Sequence, residues 1–153
     1  MILNTGIEVI LSGMIAAFSA QFLKTIFYYA HNKKINFKIF AETGGMPSSH
    51  SAFVIAMSTA VALVNGYRSV EFAISLGYAF VVMYDAAGLR RSAGKMAAVL
   101  NKIVDEVYSE KYPRHTSERL MELLGHTPIE VIMGALLGAV LAIANHILLL
   151  KIC

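Results

Sequence analysis

Four long apolar stretches, almost free of charge, constrain this chain more than any other feature. They run from about Ile7 to Tyr29, Ser49 to Val64, Val70 to Ala87 and Ile129 to Leu150. A hydrocarbon core of roughly 30 Å needs about 20 helical residues to cross it. Lipid is the solvent that accepts so much apolar surface without aggregation. Composition agrees: 57% of the 153 residues are hydrophobic and 15% charged, against about 45–50% and about 25% in soluble domains. Disordered chains, soluble nucleic-acid binders and ordinary cytosolic enzymes are argued against together. The expected architecture is all-α: one integral membrane domain over 1–153, with about four transmembrane helices and a cytoplasmic amphipathic helix. The second and third stretches are short, so they must include their flanks or thin the bilayer locally.

Basic residues predict the orientation. Lys33, Lys34 and Lys38 follow the first stretch. Arg90, Arg91, Lys95, Lys102, Lys111, Arg114 and Arg119 lie between the third and fourth, and only Arg68 and Lys151 lie on the other side. The positive-inside rule then makes both basic segments cytoplasmic and both termini external. The expected location is the plasma membrane. The net charge of +3 reads as orientation and attraction to anionic headgroups, with no nucleic-acid partner. The N-terminus lacks a basic n-region and a small-residue cleavage site, so it does not read as a cleaved signal peptide. The single cysteine, Cys153, excludes an internal disulfide framework and a cysteine-based zinc site.

The segment from about 92 to 125 is an insertion rather than a span. Met96, Val99, Leu100, Ile103, Val104 and Val107 recur at helical spacing, with charged residues between them. This predicts an amphipathic helix lying on the membrane or on the bundle. Pro113 breaks it, and a short helix from about Ser117 to Leu124 follows, stopped by Gly125.

Polar residues gather at one membrane face. Lys24, one turn after Gln21, lies in the cytoplasmic half of the first span. The run Gly44-Gly45-Met46-Pro47-Ser48-Ser49-His50 opens the second. Asp85-Ala86-Ala87-Gly88-Leu89-Arg90-Arg91 leaves the third, and Gly125-His126-Thr127-Pro128-Ile129-Glu130 opens the fourth. Each element has a plain structural explanation. Lys24 is explained by snorkelling, Thr127 to Glu130 by a capping box with Pro at N1, and Arg90 and Arg91 by the positive-inside rule. Asp85 would then pair with one of those arginines. His31, His115 and His146 have no polar constellation in the sequence and receive no chemistry.

Taken together, the same residues describe a phosphate-ester site. Helix N-termini near Ser48 and Thr127 offer N–H groups and a positive dipole end to an anion, with Ser48 and Ser49 in the first seat. Lys24, Arg90 and Arg91 add fixed positive charge. Two histidines, His50 and His126, supply either a nucleophile and an acid or a base and an acid. Glu130, four residues after His126, is placed to hold one imidazole tautomer.

Met-Pro-Ser-Ser-His-Ser, Tyr-Asp-Ala-Ala-Gly-Leu-Arg-Arg and Gly-His-Thr-Pro-Ile-Glu-Val resemble motifs of the divergent type 2 phosphatidic acid phosphatases, also labelled acid phosphatase/vanadium-dependent haloperoxidase-related. The resemblance covers nearly the whole chain. It implies a metal-independent phosphatase without cofactor, acting through a phosphohistidine on a lipid or isoprenoid phosphomonoester. By motif, His126 would be the nucleophile, Glu130 its orienting carboxylate and His50 the acid for the leaving alcohol. Lys24 and Arg90 or Arg91 would hold the phosphoryl oxygens, supported by Asp85 and Gln21. Three positions differ from the wider superfamily: Ser49 replaces a glycine, Leu120 stands where an arginine is usual with Arg119 beside it, and Lys24 belongs to no Lys-x6-Arg-Pro motif. The alternative from another class is a non-enzymatic carrier for an anionic lipid headgroup. A structural homo-oligomer is a third reading, with Gly134-x3-Gly138 serving either self-association or close packing within the bundle.

Overall fold

The computed structural model describes residues 2–33, 45–109, 120 and 125–152. Every regular element among them is a helix: α1 (Gly6–Asn32), α2 (Ser49–Asn65), α3 (Val70–Ala87), α4 (Leu89–Ser109) and α5 (Pro128–Ile152). Three helical stretches, Gly6–Ala30, Val70–Glu106 and Pro128–Ile152, are long and apolar enough to cross a membrane. The fourth, α2, has 17 residues and reaches about 26 Å at 1.5 Å per residue. The chain is an all-α membrane bundle. The expected short helix from Ser117 to Leu124, and Lys34, Lys38, Pro113 and His115, lie outside the described residues.

The shortest helix is the central one. α2 packs against α1, α3 and α5, whereas α1 and α3 do not touch each other among the described residues. Its buried positions are small: Ser51, Ala52, Ala56, Ser58 and Ala60, with Val54. The core they join is largely alanine, from Ala16 and Ala20 of α1 and Ala142 of α5, with Leu137 and Leu141 packed against it. Large side chains point outward instead, including Phe18, Phe22, Tyr78, Val81 and Val140. Lipid tails are as apolar as leucine, so helix association in a bilayer depends on close backbone approach rather than hydrophobic burial.

The closest approach is between α2 and α5. A Cβ added at Gly134 would overlap the carbonyl oxygen of Ser48, and one at Gly138 that of Ala52. Both pairs advance by four residues in the same direction, so α2 and α5 run parallel. The Gly134-x3-Gly138 motif therefore packs inside its own bundle. The neighbours α1 and α3 run antiparallel to α2: Gly13 faces Phe53 and Met57 while Gly45 faces Lys24, and Ser75 Oγ donates to Ser58 Oγ at 3.3 Å.

Two expectations change. Helix α4 begins at Leu89, not near 92, because only Gly88 separates it from α3. Arg90 and Arg91 thus belong to its first turn. The buried face of α4 carries Ala97 and Asn101, whereas Met96, Val99, Leu100 and Ile103 are exposed; the apolar stripe does not lie on the bundle. His146 also has a constellation after all. Its Nδ1 meets Glu8 Oε1 at 2.5 Å, and Asn145 Nδ2 donates to Ser12 Oγ at 2.9 Å. Glu8 is wholly buried and also accepts from the Asn4 N–H. These contacts tie α1 to α5 at the end of the bundle remote from Lys24.

Gly138→Ala should lower the thermal midpoint of the detergent-solubilised protein. Overpacking of this kind costs about 1–3 kcal/mol, and a backbone carbonyl offers no rotamer that relieves it. Gly77→Ala, at a site with nothing within 4 Å, should leave the midpoint nearly unchanged. Equal midpoints for the two variants would contradict the close α2–α5 contact.

Candidate functional site

The parallel contact places two helix N-termini side by side. Ser48 caps α2: its Oγ accepts from the Ser51 N–H at 3.3 Å and from the Ser51 hydroxyl at 3.1 Å. Its own N–H donates to the Glu130 carbonyl oxygen at 3.0 Å, locking the start of α2 to the first turn of α5. The Ser48 oxygen therefore accepts twice within its own helix, which leaves its O–H as a donor. Beside it, this terminus can offer an anion the first-turn N–H groups of Ser49 and His50, which have no intrahelical carbonyl partner.

Glu130 performs the two tasks that the sequence presents as alternatives. The Thr127 Oγ1 accepts from the Glu130 N–H at 3.4 Å, and Glu130 Oε2 accepts from the Thr127 N–H at 3.1 Å. This is a reciprocal capping box with Pro128 at the first helical position. The same Oε2 lies 3.1 Å from His126 Nδ1. A carboxylate acceptor there favours the tautomer with the proton on Nδ1 and leaves Nε2 with a lone pair. His126 is 2% exposed, and its Nε2 has no hydrogen-bond partner among the described residues. The Gly45 main chain is close enough to favour the charged ring slightly, but no well-formed hydrogen bond links it to Nε2.

The chain around His126 is held from below. Its N–H donates to the carbonyl of Ala86, at the end of α3, at 2.9 Å. Gly125 adopts φ +89°, and a Cβ there would collide with the backbone of Arg90 and Arg91. Glycine is required both for the dihedral and for the approach. Farther along, Asn101 of α4 grips Leu120 by two hydrogen bonds, Nδ2 to the carbonyl at 2.9 Å and the Leu120 N–H to Oδ1 at 3.1 Å. Sequence patterning did not single out Asn101; its one signal is a polar residue on the small-residue face of α4.

The second histidine stands opposite. The His50 and His126 ring centroids are 6.1 Å apart at an interplanar angle of 63°. Lys24 is buried at 6% exposure, its aliphatic stem alongside Gly45, and its charge acts on both histidines. It does not snorkel out to solvent. Arg90 Nε bonds Asp85 Oδ2 at 2.8 Å, and both charges are felt at His50. Arg91 is exposed, and its backbone lies against Gly125. Gln21 is half-buried one turn before Lys24, its carbonyl accepting from the Thr25 hydroxyl. Among the described residues no three His, Cys, Asp or Glu side chains cluster to hold a metal.

With the geometry set, kinship can be read. The profile of the divergent PAP2 family matches residues 6–141. The chain belongs to that family. It is also 40% identical over 143 residues to the uncharacterized membrane protein YuiD of Bacillus subtilis (strain 168), covering 88% of this chain and 90% of that one. No solved structure matches it significantly. Membership carries the membrane bundle; the chemistry must be argued from the residues.

Burial holds the His126 imidazole below its ordinary value of 6.5; the hydrogen bond and charge of Glu130 oppose this, and Lys24 reinforces it. The neutral ring is thus available on the acid side of the usual range. Opposite shifts should follow in an NMR titration of the His126 ring. Glu130→Gln removes influences that raise the midpoint, so it should fall further. Lys24→Met removes one that lowers it, so it should rise. Shifts of the same sign in both variants would contradict the arrangement.

Proposed function

We propose that this protein is a membrane-embedded phosphatase for a lipid or isoprenoid phosphomonoester, working through a phosphohistidine on His126. The observation that carries the proposal is the His126 ring itself. Its Nδ1 is engaged by a carboxylate, its Nε2 is buried without a hydrogen bond among the described residues, and the ring lies beside that of a second histidine. A histidine serving only structure has little reason to leave a buried nitrogen unsatisfied.

The geometry supports the following roles. Nε2 of neutral His126 attacks phosphorus and forms the P–N bond, while the bond from phosphorus to the ester oxygen breaks. Protonated His50 donates to that oxygen, so a neutral alcohol leaves. Water then attacks the phosphohistidine, neutral His50 takes its proton, and the P–N electron pair returns to His126. Lys24, Arg90 and the N-terminal amides of α2 would hold the negative oxygens; fixed donors aimed at developing charge contribute most to this type of catalysis. The distribution of basic residues supports a site at the cytoplasmic face of the membrane.

A carrier for an anionic headgroup would use Lys24 and Arg90 equally well. It gives no reason for the Glu130–His126–His50 sequence of contacts. Purified protein in detergent, with EDTA present, should release inorganic phosphate from a long-chain phosphomonoester. His126→Ala should abolish release, and Glu130→Gln should lower it, within the roughly 10²–10⁴-fold attributed to acid–base and orienting groups. Full release by His126→Ala would end the proposal. Lipid-phosphate binding by the wild type without release across a panel of esters would favour the carrier.

A further inference from the structure

A groove of about 300 Å³ opens beside His50, lined by Ala17 of α1, Ser49, His50, Phe53 and Val54 of α2, and Tyr78 and Val82 of α3. It exists because α1 and α3 each pack on α2 but not on each other, which leaves one face of the central helix uncovered. The outer faces of its two walls carry Phe18, Phe22, Tyr78 and Val81, each more than three-fifths exposed. In a bundle of this kind those faces meet hydrocarbon, so the groove opens sideways into the bilayer. Its polar end is Ser49 and His50, and the rest of its wall is apolar. An occupant must therefore be an amphiphile with its polar group at His50 and an apolar body directed toward the bilayer interior.

The side on which the groove lies adds chemical content. His50 lines it and His126 does not. In phosphoryl transfer the attacking and leaving atoms lie roughly in line through phosphorus. A group attacked from His126 must then depart toward His50, into this groove. Taking the roles proposed above as given, we infer that the groove is the leaving-group subsite. The substrate is thus a phosphomonoester whose alcohol carries a single extended hydrocarbon chain, entering laterally from the membrane.

The size of the groove sets what it can discriminate. At about 300 Å³ it lies at the bottom of the range of ligand pockets, ~300–1,000 Å³. Its α2 wall runs from Ser49 to Val54, roughly 8 Å of helix. It therefore holds the first part of one chain, and two chains diverging near the ester oxygen do not fit. Moving a chain from lipid into an apolar groove exchanges like for like, so the groove aligns the ester more than it adds affinity. Branching next to the ester oxygen should matter, and distal chain length should not. Tyr78 and Ala17, on opposite walls, are the specificity-determining positions.

An alkyl phosphonate bearing a diazirine near its phosphonate end tests this without turnover, because its P–C bond cannot be hydrolysed. Irradiated with wild-type protein in mixed micelles, it should label peptides containing Phe53, Tyr78 or Val82, and unlabelled alkyl phosphate should compete. Ala17→Trp, which fills the groove, should remove most of the labelling at Phe53, Tyr78 and Val82. In parallel, an n-alkyl phosphate should be hydrolysed faster than a diacylglycerol phosphate. Labelling confined to α4 or α5, or spread evenly over all helices, would overturn the subsite even if phosphate is released. Labelling at the groove with no phosphate released from any ester would keep the chain-binding groove and reject its role as a leaving-group subsite along with the phosphatase reading.

Discussion

The contact between the backbones of α2 and α5 is the constraint on which the rest depends. Gly134 and Gly138 let α5 lie against the carbonyls of Ser48 and Ala52. Parallel packing then brings two helix N-termini to the same level, and the Ser48 N–H to Glu130 carbonyl bond fixes the register. His50 and His126 meet because of that register. Any side chain larger than hydrogen at either glycine would separate the two helices and with them the two imidazoles. Stability and the pairing of the two histidines therefore share one interface. The polar contacts of Glu8 with His146 and of Ser12 with Asn145 fasten α1 to α5 at the far end, where they do not enter the chemistry.

The electrostatics of the site follow from depth. A buried lysine and an arginine near a membrane face are costly unless something negative offsets them. Asp85 offsets Arg90 within the protein. Under the proposed function, the phosphate group of the substrate would supply further negative charge beside Lys24 and the N-terminus of α2. The same burial that makes buried charge costly also holds the His126 imidazole below its ordinary value, the direction that the proposed nucleophile would need. Glu130 moderates the effect while fixing the tautomer.

Much of this was legible in the sequence, for local reasons. Helical class and the capping box at Thr127–Glu130 come from periodicity and i, i+3 spacing, and the structure contains both; of the four expected spans, three are long and apolar enough to cross and α2 is shorter. The family was legible from three short motifs. What was not legible was lateral. Nothing in a linear pattern says that α2 and α5 are neighbours, or that α1 and α3 are not. Glu8 and His146 stand at opposite ends of the chain, so their pairing was missed. The start of α4 at Leu89 is not legible from the apolar stripe, which begins at Met96, whereas the helix resumes directly after Gly88. Arg90 and Arg91 are equivalent as adjacent basic residues in the sequence; both are exposed, and helix geometry turns Arg90 toward Asp85.

The central claim is that His126 Nε2 becomes bonded to phosphorus. The most direct measurement is a rapid quench, under alkaline conditions, of wild-type protein mixed with an activated phosphomonoester, followed by peptide mass spectrometry. The account predicts a phosphoryl group on His126, stable to base, lost in acid, and formed and consumed at rates that support turnover. Phosphate release without any such adduct, or an adduct on His50 instead, would contradict it.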